Sequence, residues 1–185
     1  MKMNEIIIFP TDTIYGIGTG IYNTEGIKRI YEIKGRDYTK PMAVLCANLK
    51  QVEEFAILTK EARLLAKQFW PGGLTLVLNT QEKYYKKTFE KTIGVRIPNH
   101  HQALELLIKY GPMKTTSVNM AGEEPLNDYL VIKERYENIV DKIYDNEISI
   151  AEVSSTVVNL TNNKPFIIRE GSITINDINE VLKSL

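Results

Sequence analysis

FPTDTIYGIGTGIYNTEGIKRIYEIKGRDYTKP, residues 9–41, is the stretch whose reading decides the fold. The apolar run Ile6 to Phe9 leads straight into Pro10-Thr11-Asp12-Thr13. A short apolar run bounded by proline is the pattern of a strand buried on both faces, so residues 5–9 are read as a sheet strand. Tyr15-Gly16-Ile17-Gly18-Thr19-Gly20 is glycine-rich and permits close backbone approach by a ligand or another segment. It lacks the lysine-hydroxyl pair of a phosphate-binding P-loop and the full dinucleotide spacing. Thr24 then serves as N-cap for a helix carrying Ile27, Ile30, Tyr31 and Ile33, which Gly35 ends. Lys34 and Arg36 would splay on a regular helix, but Gly35 between them lets the chain turn both cations to one side. With Lys40 they form a positive cluster just beyond hydroxyl and glycine groups at a strand end, an arrangement that suits an anionic ligand.

Working outward, residues 42–46, 74–78, 93–97, 113–118 and 139–144 read as strands, and 157–160 with 166–168 as a hairpin. Helices are expected after Asn48 and Thr59, after an Asn99/Gln102 capping box, before Asn138, and over 175–185. Trp70-Pro71-Gly72-Gly73 is a turn. Residues 81–91 are charged and read as an exposed helix or loop whose lysines form a solvated face. His100 and His101 are adjacent and lack a metal-ligand partner at suitable spacing, so they read as exposed bystanders. Strands and helices alternate without repeats or linkers. The predicted class is α/β with a twisted sheet and flanking helices, as one domain over residues 1–185.

Composition narrows the function. The chain has 185 residues, 43% of them hydrophobic, with 23 basic and 23 acidic side chains. That balance argues against a general nucleic-acid coat and leaves room for a local basic patch. The single cysteine, Cys46, lies in an apolar run and reads as a small buried hydrophobe, consistent with a reducing compartment. No apolar run reaches membrane-span length, and the N-terminus enters a strand directly. A cytoplasmic protein with no membrane partner is expected.

Four segments pair a strand with small hydroxyl residues or an arginine: Pro10-Thr11-Asp12-Thr13, Val95-Arg96, Thr115-Thr116-Ser117-Val118-Asn119 and Ser154-Ser155-Thr156. Ligands of open α/β sheets bind beyond the carboxyl ends of strands. Convergence of these ends would make a site of hydroxyl donors flanked by Lys34, Arg36, Lys40, Arg96 and Arg169. Thr13 and Thr116 taken alone are equally good as plain strand residues. Arg96 is harder to dismiss, because arginine is rarely buried unpaired. No histidine, cysteine or paired carboxylates assemble into an acid/base or nucleophile set, and no metal cage is evident. The chemistry expected is therefore positioning and charge stabilisation, as in phosphoryl or nucleotidyl transfer.

In combination these motifs resemble those of the YrdC/TsaC family, the threonylcarbamoyl-AMP synthases, in their single-domain form. The resemblance rests on Pro10-Thr11-Asp12-Thr13-Ile14-Tyr15-Gly16-Ile17-Gly18, Lys34-Gly35-Arg36 with Lys40-Pro41, Trp70-Pro71-Gly72-Gly73-Leu74-Thr75, Gly94-Val95-Arg96-Ile97-Pro98, Ser117-Val118-Asn119 and Ser155-Thr156-Val157-Val158, in the family's order over nearly the whole chain. It implies an α/β fold with a twisted open mixed sheet, flanking helices and a positive concave face. It also implies a reaction of L-threonine, bicarbonate and ATP giving threonylcarbamoyl-AMP and pyrophosphate, with Mg²⁺ held mostly by phosphates and water. Partner proteins would pass the threonylcarbamoyl group to the tRNA adenine beside the anticodon, with weak tRNA or double-stranded RNA binding as a further expectation. By position, Thr13, Arg96, Thr115 and Ser155 would bind threonine, with Arg96 on its carboxylate. Lys34, Arg36 and Lys40 would grip the phosphates. Ser117 and Asn119 would line the space between the substrates, and Arg169 would support the nucleotide.

The departures are specific. Gly73 stands where the family has proline, Val118 where alanine is common, and Glu123-Glu124 adds negative charge near the expected ATP end. Arg169-Glu170-Gly171 replaces a usual Arg-Pro-Gly, a feature shared with a paralogous branch that generally lacks the Ser117/Asn119 pair. Only four residues precede Glu5, where the family usually has a helix, and the second domain of longer relatives has no counterpart in this length. The competing readings are an RNA-binding module without turnover, a carbamoyl-adenylate domain of a hydrogenase-maturation carbamoyltransferase, and a nucleotide-binding paralogue with a different reaction.

Overall fold

The computed structural model describes residues 4–146, 153–162 and 165–183. The strands are β1 (Ile7–Phe9), β2 (Gly16–Gly20), β3 (Ala43–Leu45), β4 (Leu74–Asn79), β5 (Thr92–Arg96), β6 (Met113–Ser117), β7 (Lys142–Ile143), β8 (Thr156–Asn159) and β9 (Phe166–Arg169). They form one open mixed sheet in the order β7-β1-β2-β6-β3-β5-β4-β8-β9. Parallel pairs (β1/β7, β3/β5, β4/β8) alternate with antiparallel ones along most of the sheet.

The helices are α1 (Thr24–Lys34), α2 (Leu49–Glu53), α3 (Lys60–Phe69), α4 (Glu82–Thr88), α5 (His101–Tyr110), α6 (Tyr129–Tyr136) and α7 (Ile175–Leu182). Alternation along the strands sorts the sheet into two faces. On one, Val44, Leu74, Leu76, Leu78, Ile93 and Val95 pack with Val52 of α2, Leu65 of α3, Tyr84 of α4 and Ile178 of α7. On the same face, Ile6, Ile8 and Ile17 pack with Ile30 of α1 and Ile132 of α6. The opposite face is covered at one end only, where Ile7, Phe9, Leu45 and Met113 meet Ala103, Leu106 and Leu107 of α5. Each fully buried Leu or Ile stabilises by about 2 kcal/mol, so helices gather on the face that offers more apolar side chains. The rest of the second face, rich in glycine and threonine, forms an open cleft. No described helix is long and apolar enough to cross a membrane.

Several local readings change. Residues 16–20, read only as a glycine-rich stretch open to close approach and given no element, are the interior strand β2, with Gly18 opposite Thr115 of β6. A Cβ on Gly16 or Gly18 would stand 2.6 or 2.7 Å from the Thr115 side chain, so these glycines let Thr115 lie across their strand. Glycine weakens strand propensity, and the neighbours on both sides supply what the local sequence does not. Helix α1 is capped by Asn23 rather than Thr24, its side chain accepting from the Gly26 amide. Helix α5 is capped by His100, not by an Asn99/Gln102 box; the His100 ring also bonds Asn146. The strand expected over 139–144 shortens to Lys142–Ile143, the residues in register with Ile7 and Ile8 of β1. In α4 the lysines are exposed as expected. Tyr84, however, is fully buried and donates to Glu90, whose carboxylate also pairs with the buried Lys114. Helix α7 ends at Leu182, and residues 184–185 of the expected helix lie outside the described residues.

Candidate active site

The cleft has a volume of ≈ 470 Å³. It lies across the open face of the sheet rather than beyond one row of carboxyl ends. The mixed strand order explains why: Arg96 ends β5, but Ser155 precedes β8, which runs antiparallel to β5's direction. The β1–β2 loop completes the site from above. Strand β2 is three strands from β5 in the sheet, about 14 Å at normal spacing. Yet the Thr13 hydroxyl accepts from Arg96 Nη1 at 2.6 Å, so the loop folds over the cleft to reach it. The Thr11 hydroxyl fixes that loop by donating to the Ile14 carbonyl at 2.7 Å and accepting from the Thr13 and Ile14 amides.

Arg96 is 6% exposed and organises one end of the cleft. Its Nε donates to the Gly72 carbonyl at 2.9 Å and its Nη2 pairs with Asp12. Burial weakens its hold on its proton, and Asp12 opposes that effect. Three of its five N–H bonds are thus engaged, which leaves one on each terminal nitrogen without a partner among the described residues. Beside it, the Thr75 and Ser155 hydroxyls bond each other at 2.9 Å, both buried. Arg169 joins them, donating through Nε and Nη2 to the Ser155 carbonyl at 3.1 and 2.8 Å and to its hydroxyl at 3.2 Å.

The other end is built from α1 and β6. Gly35 adopts the left-handed conformation, φ 56°, and turns Lys34 and Arg36 toward β6. The Lys34 ammonium, 2% exposed, donates to the carbonyls of Ser117 and Asn119 and to Asn119 Oδ1, so all three of its N–H bonds are used. Burial, and secondarily Arg36, lowers its pKa to about 8. Ser117 donates to the same Asn119 Oδ1 at 2.6 Å, while Asn119 Nδ2 donates to the carbonyls of Met120 and Glu123. Arg36 lines the cleft and bonds the Lys40 and Pro41 carbonyls and the Thr116 hydroxyl. Tyr31 pins this loop through its own bond to the Lys40 carbonyl at 2.9 Å and a ring stack on Tyr38.

Of the site residues expected from sequence, Thr13, Arg36, Arg96, Thr115, Ser117, Asn119, Ser155 and Arg169 line the cleft. Lys34 lies behind it, holding the Ser117–Asn119 turn, and Lys40 is exposed at its rim outside the lining. Sequence reading quoted Asp12, Gly72, Thr75 and Thr116 within its motifs but gave none of them a role in the site. Asp12 had a signal, since a buried arginine needs a partner. Thr75 had one too, as a polar residue alternating with leucines. Glu123 lines the cleft near Asn119, and its carboxylate meets Arg135 at 3.3 Å. Among the described residues no group of three or more His, Cys, Asp or Glu could hold a metal ion.

Residues 1–171 match the Sua5/YciO/YrdC family model, described as telomere recombination. The chain belongs to this family. It is 34% identical to the threonylcarbamoyl-AMP synthase of Pyrococcus abyssi over 98% of this chain and 55% of that protein. The crystal structure of P. abyssi Sua5 complexed with L-threonine superposes with TM-score 0.89 at 33% identity, over 97% of this chain and 54% of the other. Escherichia coli YciO superposes with TM-score 0.83 at 28% identity, over 94% of this chain and 86% of that one. The chain spans about half the length of the first two relatives.

Proposed function

We propose that this member of the Sua5/YciO/YrdC family is an L-threonylcarbamoyladenylate synthase, converting L-threonine, bicarbonate and ATP to threonylcarbamoyl-AMP and pyrophosphate. The observation that carries the reading is Arg96: a buried guanidinium, held by Asp12, Thr13 and Gly72, that still presents an N–H on each terminal nitrogen. That pair suits one carboxylate bidentately. The adjacent Thr13, Thr75, Thr115 and Ser155 hydroxyls suit a small hydroxylated amino acid. In support, a family relative binds L-threonine.

In this reading the threonine amine adds to the bicarbonate carbon and water leaves, giving a carbamate. A carbamate oxygen attacks the α-phosphorus of ATP and pyrophosphate departs. Arg36 and Lys40 bind the phosphates from the rim. Lys34 acts through the Ser117–Asn119 turn, holding those side chains between the two substrates, and its charge adds to the field there. Mg²⁺ would reach the site with the phosphates, neutralising part of their charge. It would be held mostly by those phosphates and water, since no group of three or more His, Cys, Asp or Glu among the described residues could hold it. The product would pass to partner proteins that modify tRNA beside the anticodon. An RNA-binding role without turnover is the weaker reading, because Arg96 is committed to the cleft interior and not to a polyanion-facing surface.

The test is pyrophosphate release from ATP with and without L-threonine and bicarbonate, alongside Lys34→Ala. Release that requires both co-substrates and collapses in the variant is the expected result. ATP binding with no threonine-dependent release would overturn the proposal.

A further inference from the structure

Phe89 stands out twice over. It follows α4 in the left-handed conformation, φ 58°, and among the described residues it is the one non-glycine with positive φ. It is also 77% exposed, more than any other exposed large apolar side chain described. A left-handed helix cap is normally glycine or asparagine, and a bulky side chain there is strained. The ring joins none of the three apolar clusters; its aromatic neighbour is Tyr85, edge-on with centroids 6.2 Å apart. A ring held under strain and left in water, with nothing returned to the core, points to a contact outside the chain.

The fold sorts the charges around that ring. Glu90, the next residue, turns inward, where Lys114 and Tyr84 hold its carboxylate and the Thr80 hydroxyl donates to its carbonyl at 2.7 Å. Lys83, Lys86 and Lys87 share one exposed face of α4, since residues three and four apart are neighbours on a helix. Lys91 follows the turn and is exposed too. The Lys87 ammonium lies over the exposed Tyr22 ring at 4.9 Å, and Lys86 meets Glu82 at 2.5 Å on the open surface. Residues 82–91 thus turn four lysines outward against the single outward carboxylate of Glu82, with an apolar ring beside them.

We propose that the exposed face of α4 with the Phe89 turn docks the protein on an anionic lipid surface, the ring entering the headgroup layer and the lysines facing its phosphates. The cations are all lysine. Arginine is the usual choice for gripping nucleic acid, and lysine is depleted from the cores of protein interfaces. One apolar wedge among lysines instead combines the two weak signals that peripheral membrane binding sums: buried apolar area and attraction to anionic headgroups. Docking of this kind needs no membrane span, and no described helix is long and apolar enough to provide one. It replaces the expectation of no membrane partner and is independent of the chemistry in the cleft.

The test is co-sedimentation with vesicles of phosphatidylcholine alone and of an equal mixture with phosphatidylglycerol. The protein is expected to sediment with the anionic vesicles only, with affinity falling about tenfold from low to physiological salt. Phe89→Trp should show a blue shift of tryptophan emission on binding. Phe89→Gly should lose about tenfold in affinity, yet its melting temperature should hold or rise, because glycine relieves the left-handed turn. Joint Lys86→Glu and Lys87→Glu should abolish binding. Absence of sedimentation with anionic vesicles at low salt would overturn the proposal. Undiminished binding by Phe89→Gly would reduce it to nonspecific adsorption, and a marked fall in that variant's melting temperature would make the ring structural. Displacement from vesicles by inorganic phosphate would replace the lipid surface with a simple anion site. Tighter binding of a double-stranded RNA fragment through the same lysines would assign the patch to nucleic acid instead.

Discussion

The two ends of the cleft hold their cations in opposite ways. At the Arg96 end the guanidinium is buried, paired with a carboxylate and aimed by three separate chain segments, yet it keeps N–H bonds free for a ligand. At the Lys34 end the buried ammonium has spent every donor on the Ser117–Asn119 turn, and the cations open to a ligand, Arg36 and Lys40, lie nearer the surface on a pinned loop. The difference matches the expected ligands. A small, rigid amino acid gains from a preorganised, desolvated partner, because little entropy remains to be lost on binding. A long polyanion with several torsions is held as well by exposed cations that can follow it. The first end should therefore be sensitive to geometry and the second to charge.

The comparison breaks most sharply at Arg96. Arg96→Ala should cost on the order of 2–5 kcal/mol in threonine-dependent kcat/KM, since Asp12 is left partly buried without its partner. Threonine dependence that survives the substitution would end the assignment of that end. Arg36→Ala should be milder, raising the KM for ATP about tenfold, or about 1.4 kcal/mol, with threonine affinity within twofold. Equal loss toward both substrates would erase the distinction between the ends.

Lys34 sharpens the contrast through pH. Its pKa near 8 lies below the ordinary 10.5, so the folded protein gives up this proton first. Between those values the unfolded chain binds more protons, and this group's contribution to stability rises with pH. Activity should nonetheless fall above about pH 8, because a neutral amine has one donor fewer for the turn. Melting curves across pH 7–10 beside a pH–rate profile would show activity lost without a loss of stability from this group; unfolding that tracks the activity would contradict it. The smallest effect is expected at Lys40, where Lys40→Ala should change the KM for ATP less than threefold and mainly at low salt, since exposed charges are screened. A salt-independent loss would mean that Lys40 closes into the cleft.

Much of this was legible before the fold was known. Apolar runs marked most strands, and Asn48, Thr59 and Gly35 marked helix ends because cap chemistry is local. The glycine run of β2 was legible as a place of close approach but not as a strand, because its strand conformation is imposed by β1 and β6, not by its own propensity. His100 took the cap expected of Asn99, again a choice among adjacent candidates that only the packed helix settles.

The sequence alone determined which groups are available: hydroxyls, five cations and no nucleophile set, in an order whose motifs belong to one family. Side-chain chemistry and local periodicity are written residue by residue, so these survive without coordinates. Only the tertiary structure decided what each cation does. Arg96 finds Asp12 and Thr13 more than eighty positions away, Lys34 is consumed by carbonyls of a distant strand end, and Arg169 joins Ser155. Whether a charge faces a ligand or a carbonyl depends on which strands the sheet sets side by side, and that pairing is fixed by burial of the whole apolar face rather than by any short stretch of chain.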